Sequence, residues 1–509
     1  MPGHVGTPAD SGVQAGLRGP EFTRAARGRI LGTGHRGRPI AGGTALAAAA
    51  LLAAACSAGG TTPAANGNPA NAASPVGTAS GTGANWPEYD GNPLRTGVAT
   101  GVPPAGALTT AWNARLDGAV YGQPLVVGDE VIAATENDSV YALNRVTGKT
   151  IWRTNVGTPV PRSALHGCGN IFPLGITGTP VYDASNGLVY AVAETTGYHH
   201  VLVALDAATG TVKLHRYLDS PTTANQPDYN QQRPALAIDD GRVYASFGGL
   251  SGDCGAYQGG LVSAPLAGNG PLANWHTPTS REGAVWGPGG PVVDQNGDLW
   301  ISNGNGAAES TAEPYDGSDS VTELSPSLQR LAYFAPSTWA ADNANDKDLG
   351  STQPVLAPGN TVFIVGKGGV GYLLNSTDLG GIGGQVAQQS ICRAFGTAAV
   401  SGSTVYEPCR TGPLTAVEVS AADKTIKVLW QGPAGTDGSP VVGGGAVWVT
   451  EYSQSGSGSG TLYELNQATG QVEHQISISQ GMPHFSSLSL SGGTAYVSTL
   501  AGVTAVNGA

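Results

Sequence analysis

Residues 140–152 read VYALNRVTGKTIW, and the rest of the chain keeps returning to this unit. Val140, Ala142 and the apolar residues before them alternate as a strand does. Asn144 and Thr147-Gly148 then reverse the chain, because an Asn side chain can bond its own backbone and Gly accepts a positive φ without a Cβ clash. A second short strand ends on Trp152, an aromatic large enough to cover a neighbouring sheet. The pattern recurs at Val203-Ala204-Leu205-Asp206 with Thr209-Gly210, and at Leu465-Asn466 with Thr469-Gly470. A strand–turn–strand unit repeated at long intervals is how a propeller looks in sequence. The 78 Gly, 34 Pro and 12% charged residues among 509 suit many short strands joined by tight turns rather than a helical bundle.

Eight blade starts can be counted: Gly122-Gln123-Pro124, Gly178-Thr179-Pro180, Arg233-Pro234, Gly289-Gly290-Pro291, residues 351–354, Phe395, Gly438-Ser439-Pro440 and Phe485. The last blade supplies three strands. Residues 108–116, an isolated strand carrying Trp112, supply the fourth, so that pairing the two ends of the chain closes the ring without an open edge. The expectation is an all-β, eight-bladed β-propeller of four-stranded antiparallel blades over residues 85–509. From residue 109 onward it spends about 50 residues per blade, near the upper end of common propeller repeats.

Loop lengths distinguish the two faces. First-to-second-strand turns are short throughout, for example Gly128-Asp129 and Ser401-Gly402. The opposite rim carries long connections at 157–176, 194–200, 250–260, 304–320, 338–350 and 452–460, where binding is normally built. Four cysteines fall on this rim. Cys392 and Cys409 are equidistant from the turn at Val400-Ser401, and Cys168 and Cys254 belong to adjacent blades. Disulfides Cys392–Cys409 and Cys168–Cys254 are expected in an exported chain.

The N-terminus is a different material. Six Arg and two acidic residues precede an apolar run at 43–55 that ends at Cys56. The run is too short to span a bilayer and fits the core of a secretory signal peptide over 1–55. Leu52-Ala53-Ala54-Ala55-Cys56 resembles a bacterial lipoprotein cleavage box, with the Leu one place further out than usual. That resemblance implies lipidation of Cys56 and anchoring on the outer face of the cytoplasmic membrane, or secretion if Cys56 stays unmodified. Residues 56–84 lack charge and apolar bulk and read as a disordered tether. Removing 1–55, a net +4, takes the chain from −12 to −16, which argues against nucleic acid as a partner.

The motif Ala-x-Asx-x-x-Thr-Gly-x-x-x-Trp, intact at residues 142–152, resembles the docking repeat of the pyrroloquinoline quinone (PQQ) propeller superfamily. The whole body resembles its bacterial lipoprotein members. Elsewhere the motif is eroded: Leu214 stands where Trp belongs, and Glu464 and His474 replace Ala and Trp. The resemblance implies either a quinoprotein dehydrogenase, with PQQ and Ca²⁺ as cofactors, or a non-catalytic propeller. Quinoprotein dehydrogenases typically carry a disulfide between adjacent cysteines under the quinone, and this sequence has no adjacent Cys pair and no CxxCH haem motif.

Candidate ligand-binding residues on the long-loop rim are Arg281, Glu282, Trp286, Asp316, Asp319, Lys367 and His484. Trp286 could stack on a flat ring, His484 could move a proton, and Lys367 could meet an anion. No helix follows Gly366-Lys367-Gly368-Gly369, so it is not a phosphate-binding loop. Asp342, Asp346 and Asp348 lie at spacings that suit Ca²⁺. The function expected from sequence is a non-catalytic, monomeric binding or scaffold protein. Its partner would be a protein, glycan or small molecule met by the loop-rich face. A PQQ-dependent oxidoreductase with a divergent site is the alternative.

Overall fold

The computed structural model describes residues 84–219, 226–410, 412–451 and 459–508. The expected signal peptide, Cys56 and nearly all of the expected tether lie outside the described residues. The described chain forms eight sheets, each built on a four-stranded antiparallel meander; Asn230–Gln231 adds to one of them and Gly381–Ile382, in parallel, to another. Blade 1 consists of Leu125–Val127, Glu130–Ala134, Ser139–Asn144 and Thr150–Asn155, and blades 2 to 7 repeat this meander. Their innermost strands are Val181–Asp183, Ala237–Asp239, Val292–Val293, Val355–Ala357, Ala399–Ser401 and Val441–Gly443. Blade 8 takes Leu488–Ser491, Thr494–Thr499 and Gly502–Asn507 from the end of the chain and Thr109–Arg115 from its beginning. Asn113 lies opposite Thr504 and Ala114 opposite Val503, so the expected closure is present.

The inner strands are buried on both faces because each blade is covered on both sides, whereas an outermost strand such as Thr150–Asn155 stays largely exposed. In Leu188–Thr195 of blade 2, Ala191 packs with Ile132 and Val140 of blade 1, while the next residue, Val192, packs with Val243 and Val262 of blade 3. This alternation of target, not of polarity, is what a two-sided sheet requires.

The Trp at the end of an outer strand docks onto the Thr-Gly turn of the following blade. Trp152 Nε1 donates to Ala207 O at 2.8 Å, and a Cβ on Gly210 would stand 2.5 Å from the indole. Trp430 treats Gln467 and Gly470 in the same way. Trp112, in the strand that closes the ring, donates to Arg145 O and covers Gly148. Glycine serves twice here: it takes a φ near +70° and leaves room for the ring. Where Leu214 replaces Trp, it packs against Gly268.

Residues 86–99 have a role that sequence reading did not assign. They thread the centre of the ring as a strap along the innermost strands. Trp86 bridges to Val126 of blade 1, Tyr182 of blade 2 donates to Pro87 O, and Val293 of blade 4 donates to Pro93 O. Val400 of blade 6 donates to Thr96 O, and Val98 bridges to Val442 of blade 7. Arg95 reaches Leu236 O beside blade 3, and Gln123 spans from Trp86 to Leu488 O of blade 8. Leu94 packs with the cluster shared by blades 4 and 5. The strap enters beside the short turn at Gly128, whose N–H donates to Asn85, and leaves beside the short turn at Gly444. It therefore corks the short-turn end of the channel.

Both expected disulfides are present, Cys168–Cys254 and Cys392–Cys409.

Candidate functional site at the channel mouth

The long-loop end of the channel is closed by side chains rather than backbone. Trp286, Phe395 and Phe485 precede the innermost strands of blades 4, 6 and 8. Their ring centroids lie 5.9–6.1 Å apart, with the two Phe rings stacked at an interplanar angle of 10°. Blades 4 and 8 stand on opposite sides of an eight-membered ring. Contact between Trp286 and Phe485 thus places the triad on the axis. Tyr121, ahead of blade 1, meets His484 edge-on, and His484 meets Phe485.

Charge surrounds this aromatic lid. Arg233 lies 4.4 Å from the Phe485 centroid, and Arg393 and Arg410 each lie 5.2 Å from that of Phe395, all within cation–π range. Lys367 Nζ sits 5.3 Å from the Trp286 ring. It also donates to Asp346 at 2.8 Å and pairs with Asp348 at 2.5 Å. Burial works against the Lys367 ammonium, but Asp348 and Asp346 outweigh it and hold the pKa above the usual lysine range. Asn305 ties the acidic pair together, its backbone N–H donating to Asp348 and its side chain to Asp346. His484 is driven well below the usual imidazole pKa by burial and by the neighbouring Arg233 and Arg410, so it is neutral.

The sequence candidates therefore separate into groups. Trp286, Lys367 and His484 converge at the mouth. Arg281 and Glu282 form an ion pair beside it, with Glu282 buried. Asp316 organises its own loop, accepting from Thr279, Ala308 and Ser318. Asp319 is buried and accepts from Leu349 N–H, and its second oxygen has no hydrogen-bond partner. Of the calcium candidates, Asp346 and Asp348 share Lys367, whereas Asp342 turns away on the helix Trp339–Ala344 and accepts from Thr338. A Ca²⁺ ion needs six to eight oxygens. Here the two convergent carboxylates already surround an ammonium, and the rings of three blades fill the axis beside them. These residues do not fit a quinone with its Ca²⁺ unless Lys367 moves away.

Sequence reading missed Tyr121, Arg233, Phe395 and Phe485. The rule that singled out Trp286 and His484, a position just ahead of an innermost strand, applies to all four. On the opposite face, among the described residues, Asp294, Asp298 and Glu323 bring carboxylate oxygens within 4.8 Å of one another. Burial, then Asp298 and Asp294, push Glu323 up to about 7.

Comparison with known proteins agrees with this architecture. The family model described as outer membrane protein assembly factor BamB matches residues 106–309. The polyvinylalcohol dehydrogenase of Pseudomonas sp. is 25% identical over 237 residues, covering 43% of this chain and 34% of that protein. The chain thus spans about a third of the length of the curated relatives it matches. Among solved structures, quinohemoprotein alcohol dehydrogenase ADHIIG from Pseudomonas putida HK5 superposes with a TM-score of 0.63 at 14% identity, covering 83% of this chain and 80% of that one. BamB from Moraxella catarrhalis gives 0.55 at 15% identity, covering 79% and 99%. These likenesses support the eight-bladed β-propeller fold, with a repeat similar to that of the PQQ propellers.

Proposed function

We propose that this propeller is a non-catalytic binding protein that meets its ligand at the long-loop mouth. The observation that carries the reading is the meeting of Trp286, Phe395 and Phe485 on the axis, because it turns the channel mouth into a ringed platform. The cork at the other end leaves the mouth as the approach to this platform. Aromatic faces framed by cations bind; they offer no nucleophile and no paired acid and base. A membrane-tethered location through Cys56 is part of this proposal.

The second reading is a PQQ-dependent oxidoreductase. What favours it is the similarity to polyvinylalcohol dehydrogenases and the flat Trp286 ring beside a carboxylate cluster. Incubation with PQQ and Ca²⁺, followed by dye reduction over alcohols and sugars, separates the two. The binding reading expects neither retained quinone absorbance nor turnover. Retained quinone with substrate-dependent dye reduction would sink it.

A further inference from the structure

Away from the aromatic lid, a narrow crevice lies beneath the long loop 157–176, where blade 2 meets the lead-in to blade 3. Its apolar walls are Val160, Leu165, Leu174 and Leu250, each at most 3% exposed. Three oxygen-bearing side chains, Glu194, Asp228 and Asn230, are set among them. We infer that this crevice takes the ammonium head of an alkylamine, either a free amine or the lysine side chain of a partner. The inference goes beyond the reading of the channel mouth, since the crevice uses none of the lid residues.

Asn230 carries the argument. It is 4% exposed, and its Oδ1 has no hydrogen-bond partner. A buried carbonyl oxygen without a donor is destabilising, so the site calls for one. The surrounding charge decides which kind. Glu194 and Asp219 share one imidazolium, that of His200, at 3.6 and 2.8 Å. Burial works against this imidazolium, but its two acidic partners keep it charged. Two acids on one cation leave an excess of negative charge, and Asp228 adds a further carboxylate at the entrance, 3.3 Å from the exposed ring of His166. A cationic donor suits that balance and an anion does not. An ammonium brings three N–H groups and no acceptor. The free space admits a single water-sized group, which excludes a ring or a guanidinium. Tyr198 lines the crevice and His166 stacks on it with centroids 5.9 Å apart, so the approach passes aromatic faces that favour cations. The apolar walls suit the methylenes behind the head. The roof is fixed before any ligand arrives: Cys168–Cys254 and the bond from Gly169 N–H to Ser251 O at 2.9 Å clamp the loop to blade 3.

Calorimetric titration of the full chain at low ionic strength tests this with n-butylammonium, n-butanol and tetramethylammonium. Butylammonium is expected to saturate. Butanol, with the same alkyl chain and no charge, is not, and neither is tetramethylammonium, which is charged but wider and has no N–H. Nα-acetyl-lysine methylamide binding more tightly than butylammonium would identify a lysine side chain as the source, and the reverse a free amine. Asn230→Leu is expected to weaken butylammonium binding about tenfold, the worth of one charge-assisted contact. The melting temperature should not fall, since a bare buried oxygen is removed. Asp228→Asn, at the partly exposed entrance, is expected to weaken binding to a similar degree and gives a second variant should the first fold poorly. Absence of saturable butylammonium binding overturns the site, as does equal affinity for butanol or tetramethylammonium, or undiminished binding by both variants. None of these outcomes bears on the dye-reduction test or on the lid, so the two readings fail separately.

Discussion

Arg95 shows how much one buried side chain can hold. It is 2% exposed, pairs with Glu88 at 2.7 Å and also donates to Tyr89 O and Leu236 O. Burial raises the Glu88 pKa, and Arg95 is what opposes that rise. Arg95→Met leaves Glu88 as an uncompensated buried acid, and is expected to cost about 3–5 kcal/mol in denaturant unfolding. Adding Glu88→Gln should recover much of the loss. Glu407 is a simpler case. It is 1% exposed, its Oε1 has no hydrogen-bond partner, and burial pushes it up to about 8. A carboxyl raised in the folded state contributes stability below its unfolded pKa and loses it as pH rises through the folded value. Glu136, raised to about 8 by burial, acts in the same direction. His200 does so at higher pH. Burial disfavours its charge, but bonds to Asp219 and Glu194 prevail and lift it to about 10. Stability should therefore decline from about pH 4.5 to 8 and again toward pH 10. Glu407→Gln is expected to flatten the first decline and to exceed the parent near pH 9 by on the order of 2 kcal/mol. An unchanged pH profile would remove Glu407 from this account.

At the scale of elements, the stabilising unit is the seam between blades. Trp152 lies over Gly210 with its N–H on Ala207 O, so truncation removes both a ring and a hydrogen bond. Trp152→Ala is expected to cost about 3 kcal/mol by chemical unfolding. Gly210→Ala should cost a comparable amount, since it forces a Cβ into the indole at φ +69°. This seam explains what the sequence could tell. Asn144, Thr147, Gly148 and Trp152 are local chemistry: Asn144 Oδ1 accepts from the N–H groups of Val146 and Thr147, and a reader can infer that turn from spacing alone. Blade count, closure and both disulfides follow from such punctuation. The strap did not, because WPEYDGNPLRTG has no periodicity and its partners lie far along the chain, as in the bond from Val400 N–H to Thr96 O. The lid was half legible for a related reason. Trp286 declares its position in the chain, but only eightfold closure brings it against Phe485. The Asp346–Asp348 pair read as cation ligands, and the cation it holds, Lys367, comes from the next blade.

For the whole molecule, everything depends on the ring being sealed by its own ends. The strand Thr109–Arg115 supplies the outer edge of blade 8, so Gly502–Asn507 exposes no unpaired row of N–H and C=O groups. The same strand delivers Trp112 to blade 1, so one segment closes the sheet and docks the seam. Its cross-strand partner is already specified at the side-chain level: Thr504 donates to Asn113 Oδ1 at 2.7 Å. Replacing that contact by a covalent one, Asn113→Cys with Thr504→Cys, should therefore yield a third disulfide beside the two native ones. Because the bond closes a loop of 391 residues, it restricts the unfolded chain strongly, and a gain of about 2–4 kcal/mol is expected. Peptide mapping under non-reducing conditions should recover residues 113 and 504 in one cross-linked fragment, with a raised melting temperature that falls back on reduction. Failure to form the link in a folded variant would mean that the first strand does not lie against the last. The axis on which Trp286, Phe395 and Phe485 meet, and with it the mouth as a binding site, would then lose its geometric basis.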